Sequence, residues 1–150
     1  MSPFLFIIAT EGLRSQMRRA ATNNWIKRFS IKNRNNEIME VPHLLYANDT
    51  VIFCEAEQEQ ICYLRVILVI FEACSGLKIN WRNSNIFPVK EVQQIQSLAG
   101  ILRCRIEELP TIIWECHWVL IIKLEYMGLN NGGNRKKTSS LEIIIPFPGR

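Results

Sequence analysis

Four residues, Tyr46-Ala47-Asn48-Asp49, stand between two apolar runs and commit the middle of this chain to a tight β-hairpin. His43-Leu44-Leu45 leads in and Thr50-Val51-Ile52-Phe53 leads out. Asn and Asp favour such turns because they tolerate positive φ and bond locally to the backbone. A turn this short forces its flanking runs into antiparallel register, so one strand pair is fixed before the rest of the chain is considered.

The remaining elements are read outward from that hairpin. Ser2 and Pro3 make an N-cap and first-turn pair, and a helix is expected from there to about Ala21. Leu5, Ile8, Ala9, Leu13 and Met17 recur at three- and four-residue spacing, with Arg14, Arg18 and Arg19 off that stripe. Asn23-Asn24 breaks the helix. Ile26–Ser30 and Ile38–Leu45 alternate enough for strands, separated by the polar loop Lys32–Asn36, and the hairpin returns through Val51–Cys54. Glu55–Cys74 is the clearest helix, with a stripe of Ile61, Leu64, Leu68 and Phe71 and with Glu55, Glu57 and Glu59 near its positive end. Ser75-Gly76 closes it as a C-cap. Leu77–Trp81 reads as a short strand or extended segment, and Val89–Leu98 as a further helix closed by Gly100. The pattern is that of an α+β protein.

Length and composition narrow the class. With 150 residues, 48% apolar and 21% charged, the chain suits one modest core and is neither disordered nor fibrous. No apolar run reaches the ~18 residues that a membrane span needs, so no membrane is expected. Met1–Thr10 is apolar but lacks a basic leader and runs into amphipathic sequence, which argues against a signal peptide. The five cysteines, Cys54, Cys62, Cys74, Cys104 and Cys116, contain no CxxC pair and have only His43 and His117 for company. Reduced, mostly buried thiols of an intracellular protein are the expectation. The net charge is +4, and Arg14, Arg18, Arg19, Lys27, Arg28, Lys32 and Arg34 concentrate it. Such a stripe suits nucleic-acid phosphates, although a solvated helix face has the same composition. Trp25, Phe29 and Trp81 read as core or edge aromatics rather than a platform for bases.

Three blocks in order carry a family resemblance. His43-Leu44-Leu45-Tyr46-Ala47-Asn48-Asp49-Thr50 resembles the Tyr-Ala-Asp-Asp hairpin of reverse transcriptases, with Asn48 in place of the first Asp. Ser2-Pro3-Phe4-Leu5-Phe6 is similar to the Ser-Pro-x-Leu-Phe start of their palm helix. Ser75-Gly76-Leu77-Lys78-Ile79-Asn80 resembles the segment after the hairpin in LINE-type (non-LTR) retroelements, and Asn80-Trp81-Arg82 and Phe87-Pro88-Val89 are most like the plant elements. The resemblance covers residues 2 to 111 and implies part of a polymerase palm.

What the resemblance implies is RNA-directed DNA polymerisation, with an RNA template, a DNA primer and two Mg²⁺ held by three carboxylates. Asp49 falls on a catalytic, metal-binding position and Asn48 on the degenerate one. Tyr46 and Ala47 fall beside the primer terminus and nucleotide, and Ser2 and Pro3 begin the helix beneath them; a simple helix cap explains the last two equally. Lys78 falls near phosphate, or is a solvated strand lysine. Arg14, Arg18 and Arg19 are the candidate nucleic-acid contacts. The family's remaining carboxylate lies on a strand ahead of the palm helix, for which this sequence has no counterpart, and Asn83 stands where the family carries Lys. An amide at position 48 is neutral. The expectation is an inactive, truncated remnant that holds Mg²⁺ unproductively, with no partner or with residual nucleic-acid binding.

After Thr111 the resemblance stops, and the genetic code offers a reason. Read one base earlier, the codons of Trp114-Glu115 force Gly, those of His117-Trp118 force Leu and those of Trp118-Val119 force Gly. The shifted frame permits Leu-Gly-Met-Pro-Leu-Gly, a segment similar to the family's. Residues 112–150 are therefore expected to be a frameshifted, irregular tail, with Asn130–Ser140 a polar loop and Trp114 and Trp118 packing only opportunistically. Coding DNA whose codons exclude that shifted reading would end the idea.

Overall fold

A computed structural model describes residues 3–27, 30–32, 35–40, 43–46, 49–88, 91–108 and 120–127. Among them the order is α1 (Pro3–Thr22), β1 (Ser30–Lys32), β2 (Ile38–Glu40), β3 (His43–Tyr46), β4 (Asp49–Cys54), α2 (Gln58–Ser75), β5 (Lys78–Ile79), β6 (Asn85–Pro88), α3 (Ile95–Leu102), β7 (Arg105–Ile106) and β8 (Leu120–Met127). Helices and strands are interspersed, as expected of an α+β chain.

The first helix ends where its asparagines stand. Asn24 adopts φ 57°, the Trp25 N–H reaches back to the Ala20 carbonyl (2.9 Å) and the Asn24 N–H to that of Ala21 (3.2 Å). This is a Schellman closure with Asn in the left-handed position. It turns the chain inward at Ile26, which is buried rather than part of a strand. Leu13, Met17 and Ala20 line the buried face of α1, but Leu5 and Ile8 are exposed, as are Phe4 and Ile7. The apolar stripe is real, yet only its second half meets the core.

Helix α2 is the centre of the packing. Ile61, Leu64, Leu68 and Phe71 are all buried as the periodicity requires, and Ile67 joins them. The helix starts at Gln58, later than expected, because Glu55 and Glu57 are engaged as acceptors outside it. Its C-terminus is capped by Gly76 at φ 71°, a left-handed conformation that a side chain disfavours, with the Gly76 N–H bonded to the Glu72 carbonyl (3.1 Å). Glu72 then accepts the Ile79 N–H at 2.7 Å, which launches β5.

The main sheet runs β3-β4-β8-β6-β7, with β5 also paired to β8. Thr50, Ile52 and Cys54 are buried while Val51 and Phe53 are half-buried, the period-2 signature of a strand with one face on the core. Ile86 of β6 is fully buried in the same cluster as the helix residues. β1 and β2 form a separate antiparallel ribbon.

Four expectations need correction. Only Lys78–Ile79 of Leu77–Trp81 is strand, and β6 and β7 were not foreseen. The third helix lies at Ile95–Leu102 rather than Val89–Leu98, and Gly100 is inside it. Burial of Leu98, Ala99 and Leu102 carries the helix through the glycine against a cost of about 1 kcal/mol. The supposedly irregular tail contributes β8, antiparallel to β4 and β6. Leu120, Ile121, Ile122 and Leu124 form an apolar run whose two isoleucines are β-branched, which favours a strand whatever its ancestry. Among the described residues the thiols are not mostly buried: Cys62 and Cys74 are exposed, Cys104 is intermediate and Cys54 alone of these four is sealed. Residues 128–150, Trp114, Trp118 and Cys116 lie outside the described residues. No helix among the described residues is long and apolar enough to cross a membrane.

Candidate functional site

The hairpin forms in the register its turn residues demand. Tyr46 pairs with Asp49, Leu45 with Thr50, Leu44 with Val51 and His43 with Ile52. Ala47 and Asn48, the two turn residues themselves, lie outside the described residues. Asp49 is thus the first residue of β4, and on its other side it pairs with Glu125 of β8. Beside Asp49 in sequence, Thr50 is fully buried.

β8 links the hairpin to a second expected residue. Its Met127 pairs with Lys78 of β5, two positions beyond the Glu125 that faces Asp49. Asp49 and Lys78 therefore pair near the same end of one strand. Lys78 is exposed. Glu125 was not foreseen, because it belongs to a segment read as out of frame; nothing in the local sequence marks it.

The other expected residues lie on α1. Arg14, Arg18 and Arg19 are exposed. Arg14 pairs with Glu11 at 3.4 Å, an exposed contact of little energetic weight. Arg18 and Arg19 form no ion pair among the described residues. Pro3 is the first residue of α1, and Ser2 lies outside the described residues.

Two further features tie the helices together behind the sheet. Gln60 is buried; its side-chain oxygen accepts the Lys27 backbone N–H (3.0 Å), and its amide donates to Glu55 (3.2 Å) and Glu57 (2.9 Å). Lys27 adds a 2.6 Å bond to Glu55 and a 3.4 Å one to Glu57. The Gln60 hydrogen bond, then that from Lys27, holds the Glu57 carboxyl below its ordinary range, and the bond to Glu55 raises the Lys27 ammonium. This knot explains the fate of the acidic run before α2: it anchors the exit of α1. Gln60→Leu strands the Lys27 N–H and is expected to cost about 1–3 kcal/mol in urea unfolding; an unchanged midpoint would show that the knot contributes nothing.

Trp25, partly exposed, stacks on Tyr63 with centroids 5.7 Å apart and planes 12° from parallel. Trp81 packs on the core and carries the Arg65 guanidinium over its ring at 3.8 Å. Both fit the reading as edge and core aromatics, while Phe29 lies outside the described residues. Among the described residues, no three His, Cys, Asp or Glu side chains gather where they could hold a metal ion. No protein-family model matches the chain, and neither a curated protein nor a solved structure matches it.

Proposed function

We propose that the chain is part of the palm of a LINE-type reverse transcriptase that no longer polymerises DNA. The observation that supports this most is the two-residue hairpin whose closing pair is Tyr46 and Asp49. It puts the tyrosine and the surviving carboxylate of the Tyr-Ala-Asn-Asp motif at directly opposed positions. The helix that begins at Pro3 and the Gly76-capped turn into Lys78-Ile79 supply the other two blocks of the resemblance in order.

In that family two Mg²⁺ supply charge to the triphosphate and activate the primer hydroxyl when bound. The donors of this chain do not fit that centre. Asn48 offers a neutral carbonyl where the motif needs an anion, and a hard divalent cation depends on anionic oxygen for its affinity. No reaction step is therefore assigned to Asp49; its role is that of a turn residue descended from a ligand.

Primer extension on an RNA template, in Mg²⁺ and separately in Mn²⁺, tests the proposal. The native chain is expected to incorporate no nucleotide. Incorporation that disappears in Asp49→Ala would overturn the inactive reading, and Asn48→Asp, which restores the second carboxylate of the hairpin, is the variant compared with the native chain.

A second reading is a nucleic-acid-binding remnant without chemistry. It is favoured by Arg18 and Arg19, exposed on one helix and without an ion pair among the described residues. Replacing Arg14, Arg18 and Arg19 by Gln should then weaken binding to an RNA–DNA hybrid and flatten its salt dependence; binding that is unaffected removes this reading.

A further inference from the structure

Helix α2 carries a second apolar face, opposite the one that the core covers. Cys62, Val66, Val69 and Ala73 recur at spacings of four, three and four residues, and on a helix they share an arc of about 60°. All four are exposed, Val66 at 54% and Val69 at 43%. Ile70, 46% exposed, and the exposed Cys74 widen the stripe on one side. The charged residues between Cys62 and Cys74 are Arg65 and Glu72, and both are engaged elsewhere. Arg65 lies over the Trp81 ring at 3.8 Å, and Glu72 accepts the Ile79 N–H at 2.7 Å. A helix face turned to water ordinarily carries charged and polar side chains; this one carries none over about three turns. Tyr63, beside Val66 on the helix, holds Trp25 in a stack at 5.7 Å, and Trp25 is itself 46% exposed. An aromatic pair thus borders the stripe.

We propose that this face is where two copies of the chain pair, α2 against α2, antiparallel about a twofold axis. The spacing of four, three and four reads the same in both directions. A register that sets Val66 against the partner's Val69 also sets Cys62 against the partner's Ala73, and the reverse. A twofold interface needs that self-complementarity, because each patch meets its own copy. Alternating steps of three and four are also those by which paired helices interlock.

Charge selects the direction. The first turn of α2 carries the exposed Glu59, and the Gly76 cap at its other end leads into the exposed Lys78. The antiparallel register puts Glu59 opposite the partner's Gly76, so an acid and a lysine meet at each end of the interface and the helix dipoles oppose. A parallel pair would set Glu59 against its own copy. One helix pair buries less than the ~1,600 Å² of a standard interface, which places the dissociation constant on the order of 10 μM.

Sedimentation of the full chain across a concentration series that brackets that constant tests the pairing. One variant carries Val66→Glu with Val69→Glu, a second Val66→Lys with Val69→Lys, and Ile8→Lys on the exposed start of α1 is the control. Each α2 variant alone should bind its own copy at least about tenfold more weakly than the native chain does, because like charges face each other across the axis. An equimolar mixture of the two should dimerise again, a rescue that a folding defect does not give. Urea midpoints of the dilute chains, where all are monomeric, should stay close to the native value, since the positions are exposed. A short bismaleimide applied to the native dimer should join Cys62 to the partner's Cys74, read by peptide mass spectrometry. A native chain that stays monomeric throughout overturns the proposal. So do thiols at Cys62 and Cys74 that are already slow to react in the dilute chain, which would mean that a segment of the same chain covers the stripe. Cys62 joined to the partner's Cys62, failure of the mixture to dimerise, or dimerisation lost in Ile8→Lys and kept in both α2 variants overturns it equally. No readout involves nucleic acid or primer extension, so the outcome is independent of polymerase descent.

Discussion

Phe71→Ala is expected to remove about 3–5 kcal/mol of folding stability, read from the midpoint and slope of urea unfolding. Phe71 is 2% exposed and is the largest fully buried side chain among the described residues, in a core that α1, α2, α3, β4, β5 and β6 all enter. Truncation removes the transfer energy of the ring and leaves a cavity that surrounding elements cannot collapse into together. A domain of ordinary stability holds about 5–15 kcal/mol in total, so the variant should sit near the edge of folding. Val69→Ala, on the same helix but 43% exposed, is the control and should stay within about 0.5 kcal/mol of the native chain. A loss below about 1 kcal/mol for Phe71→Ala would mean that α2 does not pack as described.

That contrast also shows what was legible in the sequence. The α2 stripe was readable because a helix with one buried face imposes a 3.6-residue period, and Ile61, Leu64, Leu68 and Phe71 obey it. The hairpin was readable because Tyr46-Ala47-Asn48-Asp49 combines turn chemistry with apolar flanks. The Gly76 cap was readable for the same local reason. α1 was readable as a helix but not as a buried one. Periodicity says that a face is apolar; whether a neighbour covers it depends on tertiary placement, and Leu5 and Ile8 are not covered.

Long-range pairing accounts for most of what was missed. β6 and β7 are four and two residues long, and such segments carry no period of their own. They are strands because β8 and the β6 edge are there to receive them. Glu125 could be placed opposite Asp49 only once β8 was in the sheet. The stacking of Arg65 on Trp81 joins two segments, and no local motif announces it. Asp49, Tyr46 and Lys78 were singled out through resemblance; the register sets Asp49 against Tyr46 and brings Lys78 to the same end of β8, while the α1 arginines belong to a separate element.

The status of β8 gives rise to the second large effect, read through Cys54. This thiol ends the strand that Asp49 begins, is 2% exposed, and burial, then the charge of Glu55, pushes its pKa up to about 12. In the unfolded chain it ionises near its ordinary 9.0. The folded state therefore keeps its proton while the unfolded state loses it, and the resulting stability, fully present below pH 9, is lost as pH rises towards 12. The slope is about 1.4 kcal/mol per pH unit and the whole effect about 4 kcal/mol. Cys54→Ala should show a correspondingly shallower alkaline limb, and equal limbs would contradict the burial. At pH 8 the same environment should leave Cys54 unmodified by a thiol reagent while Cys62 and Cys74 react. Cys54 pairs with Leu120 of β8, and Ile122 in the same strand pairs with both Ile52 and Ile86. A proline cannot sit in such a doubly paired strand, so Ile122→Pro should open the sheet and expose Cys54 to the reagent at a rate approaching that of Cys62. Continued protection of Cys54 in that variant would mean that the sheet closes without β8, as expected of a tail translated out of frame.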